Sequence, residues 1–419
     1  MFIFLTILFL LWPFGSLPLV LFLMYCQKKY AYYFFGLFIA LFTMYYPPVG
    51  DQYRYWLIFQ EPISPLLDIN FSLDNGQWAR LLNLIYPLSS IIKKLGGNFE
   101  HVRFVLIFVS FSLSFHFFWN QTIQLRSATS KRKYFFAALC FILSLPIAPI
   151  MTGFRWGVAV ILFGLAASYF VTDRKITAVI FAIFASLFHF AIVPSILLLG
   201  FCMCIKKTIL NHPIIILLAA AFTSIVLDAC IVLLLRFPFF DFVRVYIESD
   251  GAWRIGELPY EMSFLSKIGF FFADFVFYIF LIFVSIIIFQ HKKNNDKLDT
   301  DYSKSMFLLA FVLIIIFIIF RNFYAIAGRL KSLIILFSTW AFMFAILKKQ
   351  IHLTKNILLL YWVFIVFFFA FPFLSYKKAL WTAKCYRFCY SNLYVIMTNT
   401  FSENWICKHV NDDSSILAE

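Results

Sequence analysis

Five short stretches of this chain carry polar side chains at spacings that suit chemistry. In GDQYRYW at 50–56, Asp51 stands three residues before Arg54, which puts both on one face of a helical turn. Either they form a local ion pair, or Asp51 orients or deprotonates a hydroxyl beside the stacking surfaces of Tyr53, Tyr55 and Trp56. In GFRWGVAVILFGLAASYF at 153–170, Arg155 opens a run that stays uncharged until Asp173. It either snorkels to a bilayer interface or binds an anion at a helix N-terminus. In SLFHFAIVPSIL at 186–197, His189 has apolar neighbours, where it is a hydrogen-bonded structural residue or a proton carrier near neutral pH. In RNFYAIAGRLKS at 321–332, Arg321 and Arg329 are expected to bracket a short turn, with Lys331 following. Such cations make a phosphate clamp, or a positive loop facing anionic headgroups. The mixed charges of 236–263, Arg244 among them, suit a polar loop over an outward-facing cavity.

No phosphate-binding Gly-rich loop, metal-ligand spacing or nucleophile elbow is present, so neither a metal nor another cofactor is expected. Cys202 and Cys204 lack a neighbouring His/Cys cluster, and Cys26, Cys140 and Cys230 sit in apolar runs as small hydrophobes. Cys385, Cys389 and Cys407 fall in a polar tail and pair only if that tail lies in an oxidising compartment. Asp228 and Asp274 fall within apolar runs, as the acids of a proton-coupled transporter do.

The elements that must position these residues are membrane helices. The 419 residues are 63% hydrophobic and 13% charged. Soluble domains are nearer about 45–50% apolar and about 25% charged. That composition excludes a soluble enzyme and a disordered chain. The net charge of +15 is spread as small clusters between apolar stretches, which fits a membrane protein and not a nucleic-acid-binding domain. A spanning helix needs about 20 mostly apolar residues. Such runs occur near 3–25, 30–47, 103–120, 134–150, 156–171, 209–235, 264–289, 306–320, 331–347 and 356–374. The first 27 residues carry no charge, so they read as a spanning helix and not as a cleaved signal.

Lysine-rich short loops mark the cytoplasmic side. Keeping them all inside makes 176–205 a hairpin of two short helices that turns at His189–Pro194, and gives about 12 crossings with both termini outside. Under that arrangement the inside holds 14 Lys and 3 Arg, the outside 8 Lys and 10 Arg. Lys sets orientation. Arg, whose planar fork holds phosphate and carboxylate bidentately, collects on the other face. The outer segment 48–102 contains an amphipathic run at 78–95 that reads as an interfacial helix kinked by Pro87. The expected organisation is one transmembrane domain over 1–374, with outer loops 48–102 and 236–263, and a polar tail over 375–419.

The order GDQYRYW, LLNLIYPLSSIIKKLGGNF, FRWGVAV, SLFHFAIVPSIL and AGRLKSL resembles the EpsG family, among the Wzy-type O-antigen and exopolysaccharide repeat-unit polymerases, from about residue 45 to 335. The resemblance implies an all-α polytopic glycosyltransferase with a GT-C-like arrangement in the bacterial inner membrane. It would join undecaprenyl-diphosphate-linked oligosaccharides at the periplasmic face, alongside a chain-length regulator and a flippase, without metal or nucleic acid. It implies catalytic roles for Arg155, His189, Asp51 and Arg329. Arg54, Arg321, Arg244, Tyr53 and Trp56 become residues for binding the diphosphate or sugar. Two departures stand out: Trp156 follows Arg155 where the family has a polar residue, and the loop 236–263 is short. An O-antigen ligase is the nearest alternative in mechanism, and a flippase or transporter of lipid-linked sugars is the alternative that is not an enzyme.

Overall fold

The computed structural model describes residues 1–48, 51–60, 84–153, 155–204, 213–234, 264–294, 302–321, 324–348, 355–375, 384–399, 401 and 405–406. Among the described residues every regular element is helical. Among these residues four helices are long and apolar enough to cross a membrane: Phe99–Gln121, Phe271–Ile288, Tyr302–Ile319 and Ile326–Leu347. Shorter apolar helices accompany them. The molecule is thus an all-helical, multi-pass membrane protein. The chain divides into two compact units. The first holds Met1–Ala166, Lys175–Val193 and Phe369–Glu419, and the second holds Ala167–Arg174 and Pro194–Phe368.

In the first unit the apolar run expected as one helix over 3–25 is two, α1 (Phe2–Leu11) and α2 (Pro13–Tyr25). The break is at Trp12, whose φ of −155° and ψ of 83° lie outside the helical region. Proline disfavours helical geometry in the residue before it and is tolerated at the first helical position, so Pro13 ends one helix and opens the next. The next helix is α3 (Lys29–Thr43). The rings of Phe2, Phe9 and Phe14 meet Tyr30, Phe34 and Phe38 in turn, while the Tyr32 hydroxyl donates back to the Met24 carbonyl. The two short helices therefore run up and back along α3. Met1 lies at the Lys28–Lys29 end of α3, which corrects the expectation that both termini share the opposite side.

α3 packs against α6 (Phe99–Gln121). A Cβ on Gly36 would stand 3.3 Å from Phe111, so the small residue sets how closely the two helices approach. Asn98 caps α6, accepting from the His101 backbone while its own N–H donates to the His101 ring. The run expected over 134–150 is also divided, into α7 (Lys131–Leu143) and α8 (Ile147–Gly153), with Pro146 at the junction. The amphipathic run appears as α5 (Ile85–Lys94), its residues 78–83 lying outside those described. Pro87 does not kink it. It occupies the first turn, where its missing N–H has no helical acceptor to lose. α5 ends before Gly96, whose φ of +78° favours glycine.

Residues from the tail are built into this unit. A 3₁₀ helix (Cys385–Tyr390) and α17 (Leu393–Met397) pack at the Tyr45 end of α3. Phe388 is buried among Phe38, Phe42 and Tyr45. The Trp12 indole donates to the Cys389 carbonyl, the Tyr45 hydroxyl to Ser391 Oγ, the Cys385 thiol to the Tyr45 carbonyl and the Asn399 amide to the Met44 carbonyl. Cys385 and Cys389 are free thiols, and Cys407 lies outside the described residues. Burial pushes the Cys385 thiol from 9.0 up to about 12. The docked tail therefore keeps a proton that the undocked tail sheds above about pH 9. Docking is fully supported below that pH and weakens as pH rises toward 12. Peptide-mapped maleimide labelling at pH 8 is expected to modify exposed Cys389 and spare Cys385, with Cys385 gaining reactivity as pH passes 9. Equal labelling at pH 8 would contradict the docked tail.

The second unit is organised around α14 (Tyr302–Ile319) and α15 (Tyr324–Leu347), its most extensive helix pair. α12 (Pro213–Leu234) and α13 (Phe264–Asn294) lie against α14. Phe342 stacks on Tyr361 of α16 (Lys355–Ser375) at 3.9 Å, and the Tyr361 hydroxyl donates to Thr339 Oγ1 at 2.9 Å. The Ser168 and Tyr302 hydroxyls share a 2.9 Å hydrogen bond, which adds the last turn of α9 (Arg155–Val171) to the unit.

Candidate functional site

Side chains from the first three sequence motifs meet within the first unit. α4 (Asp51–Gln60) carries GDQYRYW, and α9 (Arg155–Val171) opens on Arg155. The Arg155 guanidinium lies 5.1 Å from the centre of the Tyr55 ring, a cation–π arrangement that leaves its N–H edge for an anion. A cation at a helix N-terminus faces the positive end of the dipole, so an anion there satisfies both. The neighbouring Trp156 ring meets His189 edge-on at 5.4 Å. Tyr53 and Trp56 stack at 6.1 Å on α4, but Trp56 is buried, which corrects the expectation that it meets a sugar directly and leaves half-buried Tyr53 as the ring with a face to offer.

His189 stands where the sequence places a break. α10 (Lys175–Phe188) ends before it, a 3₁₀ turn covers Phe190–Ile192, and α11 (Val193–Cys204) follows. The Ala191 N–H donates to His189 Nδ1 at 3.2 Å. That nitrogen therefore carries the lone pair, and the proton of the neutral ring sits on Nε2. The Leu84 N–H bonds the Leu187 carbonyl at 3.3 Å, bringing the start of α5 beside the same turn. Tyr86 meets Tyr55 edge-on at 6.2 Å. At the far end of α4, the Lys93 ammonium donates to the Phe59 carbonyl at 2.6 Å and caps the negative end of that helix.

The corner between α8 and α9 is fixed by close packing. A Cβ on Gly157 would stand 2.7 Å from the Ile150 backbone nitrogen, so only glycine admits this approach. The Ile150 carbonyl accepts from Gln52 Nε2 at 2.9 Å, which ties the first turn of α4 to that corner. Tyr55 and Gln52 are central to this geometry. The sequence names Tyr55 only as a stacking surface and gives Gln52 no role. Its sole signal is membership of the same short motif as Asp51 and Arg54.

Asp51 and Arg54 lie on α4, and their side chains fall outside the described residues, as do the Asp228 side chain and the whole of Arg244. Arg321 and Arg329 belong to the second unit and do not bracket one turn. Arg321 is exposed just beyond α14, whereas Arg329 lies inside α15, which begins at Tyr324. Helix replaces the expected turn around Arg329, because YAIAGRLKSL contains good helix formers and no proline.

Lys331 of α15 pairs with Asp274 of α13 and lies 5.5 Å from the Phe277 ring. This gives the intramembrane acid a fixed cationic partner. Asp274→Asn is expected to cost about 2 kcal/mol by leaving the ammonium without its counter-charge. The exchange Asp274→Lys with Lys331→Asp is expected to recover at least half of that loss in a thermal-shift measurement in detergent. Wild-type stability of Asp274→Asn would contradict the pairing. Among the described residues no group of three or more His, Cys, Asp or Glu is placed to hold a metal.

The family model described as the EpsG family matches residues 34–388, most of the chain and further into the tail than the motifs alone reach. No curated protein matches the chain, and no solved structure does.

Proposed function

As the chain belongs to the EpsG family, we propose that it is a membrane polymerase of polysaccharide repeat units. It joins oligosaccharides carried on a polyprenyl diphosphate, undecaprenyl diphosphate in a bacterial inner membrane, at the periplasmic face. The observation that carries this reading is the meeting of Tyr55, the adjacent Arg155 and Trp156, and His189 in one unit, from three separate motifs of the family-like order.

The chemistry follows from what must break. The acceptor hydroxyl oxygen attacks the anomeric carbon of the donor sugar. The bond from that carbon to the diphosphate oxygen breaks, and the lipid diphosphate leaves with the electron pair. Negative charge grows on the leaving oxygen, so a preorganised cation there stabilises the transition state more than the ground state. Arg155 does this work. Because His189 Nε2 carries a proton, the ring donates to a phosphate or sugar oxygen, and the acceptor's proton passes to Asp51. Tyr53, backed by the buried Trp56 ring, holds a sugar face, with Arg54 on the same helix α4. For Arg321, Arg329 and Arg244 the reading rests on their place in the matched sequence, as cations suited to a diphosphate.

Deleting the gene in its host and running the surface glycan on a gel tests this. Single repeat units on their anchor, with the long ladder lost, are expected. Long lipid-linked polymer that is never transferred would identify a ligase instead. Single lipid-linked units trapped inside would identify a flippase. A chain-length regulator, where the host has one, is expected to alter ladder length without being needed for bond formation.

A further inference from the structure

The Arg103 side chain, in the second turn of α6, is wholly buried. Burying a guanidinium is costly unless its charge and its N–H groups are met. Glu100, also buried, stands one turn earlier with Oε1 3.6 Å from Nη2, and the Phe401 backbone hydrogen-bonds the Glu100 carboxylate. The Arg103 Nη1 donates to the Tyr46 carbonyl and, at 3.1 Å, to Gln52 Oε1. Among the described residues, the Nε and Nη2 atoms find no hydrogen-bond partner. The Phe99 ring covers the guanidinium at 5.7 Å. Because Gln52 Oε1 faces this cation, its Nε2 faces Ile150, where it donates at 2.9 Å. One amide therefore relays between α6 and the α8–α9 corner.

An incompletely hydrogen-bonded ion pair is a poor way to stabilise a core, since well-packed apolar residues generally do as well or better. What the planar fork supplies is geometry. It fixes two acceptors, the carbonyl just past α3 and the amide in the first turn of α4, at set angles to α6. We infer that Arg103 is a positioning residue that holds α4 in register with the α8–α9 corner, so that Tyr55 lies beneath Arg155. The consequence for activity rests on the proposed polymerase reading. The placement of α4 does not.

Two variants separate positioning from mere structural support. Arg103→Met with Glu100→Gln removes both buried charges together, so no uncompensated ion is left. Gln52→Leu leaves the ion pair intact and cuts only the relay. The full-length protein in nanodiscs is followed by backbone hydrogen exchange, and its host strain by the glycan ladder. Both variants are expected to speed exchange over 51–60 on the order of tenfold while α14 and α15 keep wild-type protection. The ladder shortens with it. Unchanged exchange over 51–60 in Gln52→Leu would overturn the inference, whether or not the double variant reaches the membrane. Faster exchange with a full ladder would uphold the placement of α4 and remove α4 from the proposed active site.

Discussion

Arg155→Ala is expected to abolish long glycan chains while the protein stays at normal abundance in the membrane. The side chain contributes little to the core, since it lies at the half-buried start of α9 against the Tyr55 ring. Its loss should therefore spare the fold and strike the step in which charge develops on the leaving diphosphate. Removing one preorganised donor from such a position costs on the order of a hundred- to a thousandfold in rate. Arg155→Lys keeps the charge but loses the two-pronged donor and the flat face that rests on Tyr55, so it should recover little. Tyr55→Phe keeps the ring and should remain active. Tyr55→Ala should lose activity by letting the guanidinium wander. A full ladder in Arg155→Ala would remove this residue from the chemistry.

Phe388→Ala carries the largest expected effect on stability. The ring is 1% exposed and meets Phe38, Phe42 and Tyr45 at 5.3, 5.5 and 5.9 Å. Truncating a buried phenylalanine typically costs about 3–5 kcal/mol. The docked piece is short and is otherwise held by buried Ile396 and Cys385 and by a few hydrogen bonds, each of the latter worth about 1 kcal/mol net. The whole segment should therefore release. Cys385 should then react with maleimide at pH 8 as fast as Cys389, and trypsin should cut near Arg387. Phe388→Leu refills most of the space and should leave Cys385 protected. Continued protection in Phe388→Ala would mean that the tail is held by something other than this ring.

Much of the fold could be read in the sequence because apolar length is a local signal. The helices near 103–120, 156–171, 264–289 and 356–374 lie within a few residues of their expected ends. The break at His189 was legible too, since a polar residue and a nearby proline interrupt an overlong run. Pro13 and Pro146 carried the same kind of signal, yet hydropathy averages over a proline, so each break was read as continuous helix. Pro87 misled in the other direction, because whether a proline kinks a helix depends on how far inside it falls. Arg329 was expected in a turn, but Gly328 does not interrupt α15.

The site was legible as residues and not as contacts. Arg155, His189 and the aromatics of α4 stood out because charge and flat rings are rare in such a chain. Arg103 stood at the edge of an apolar run and drew no attention. Its partners Tyr46 and Gln52 are 57 and 51 residues away, and no local pattern announces a pairing at that distance. The tail is the extreme case, with Cys385 bonded to Tyr45 across 340 residues. Its polar composition hid the buried Phe388 and Ile396.

The most direct test of the central claim uses purified protein in liposomes, supplied only with the host's polyprenyl-diphosphate-linked repeat unit. Products are sized by mass spectrometry, and released polyprenyl diphosphate is counted. Lipid-linked dimers and longer chains are expected, with one lipid diphosphate released per bond formed and no elongation by Arg155→Ala. Repeat units that stay single under wild-type protein, while crossing to the other leaflet, would contradict that claim and make this chain a carrier of lipid-linked sugars.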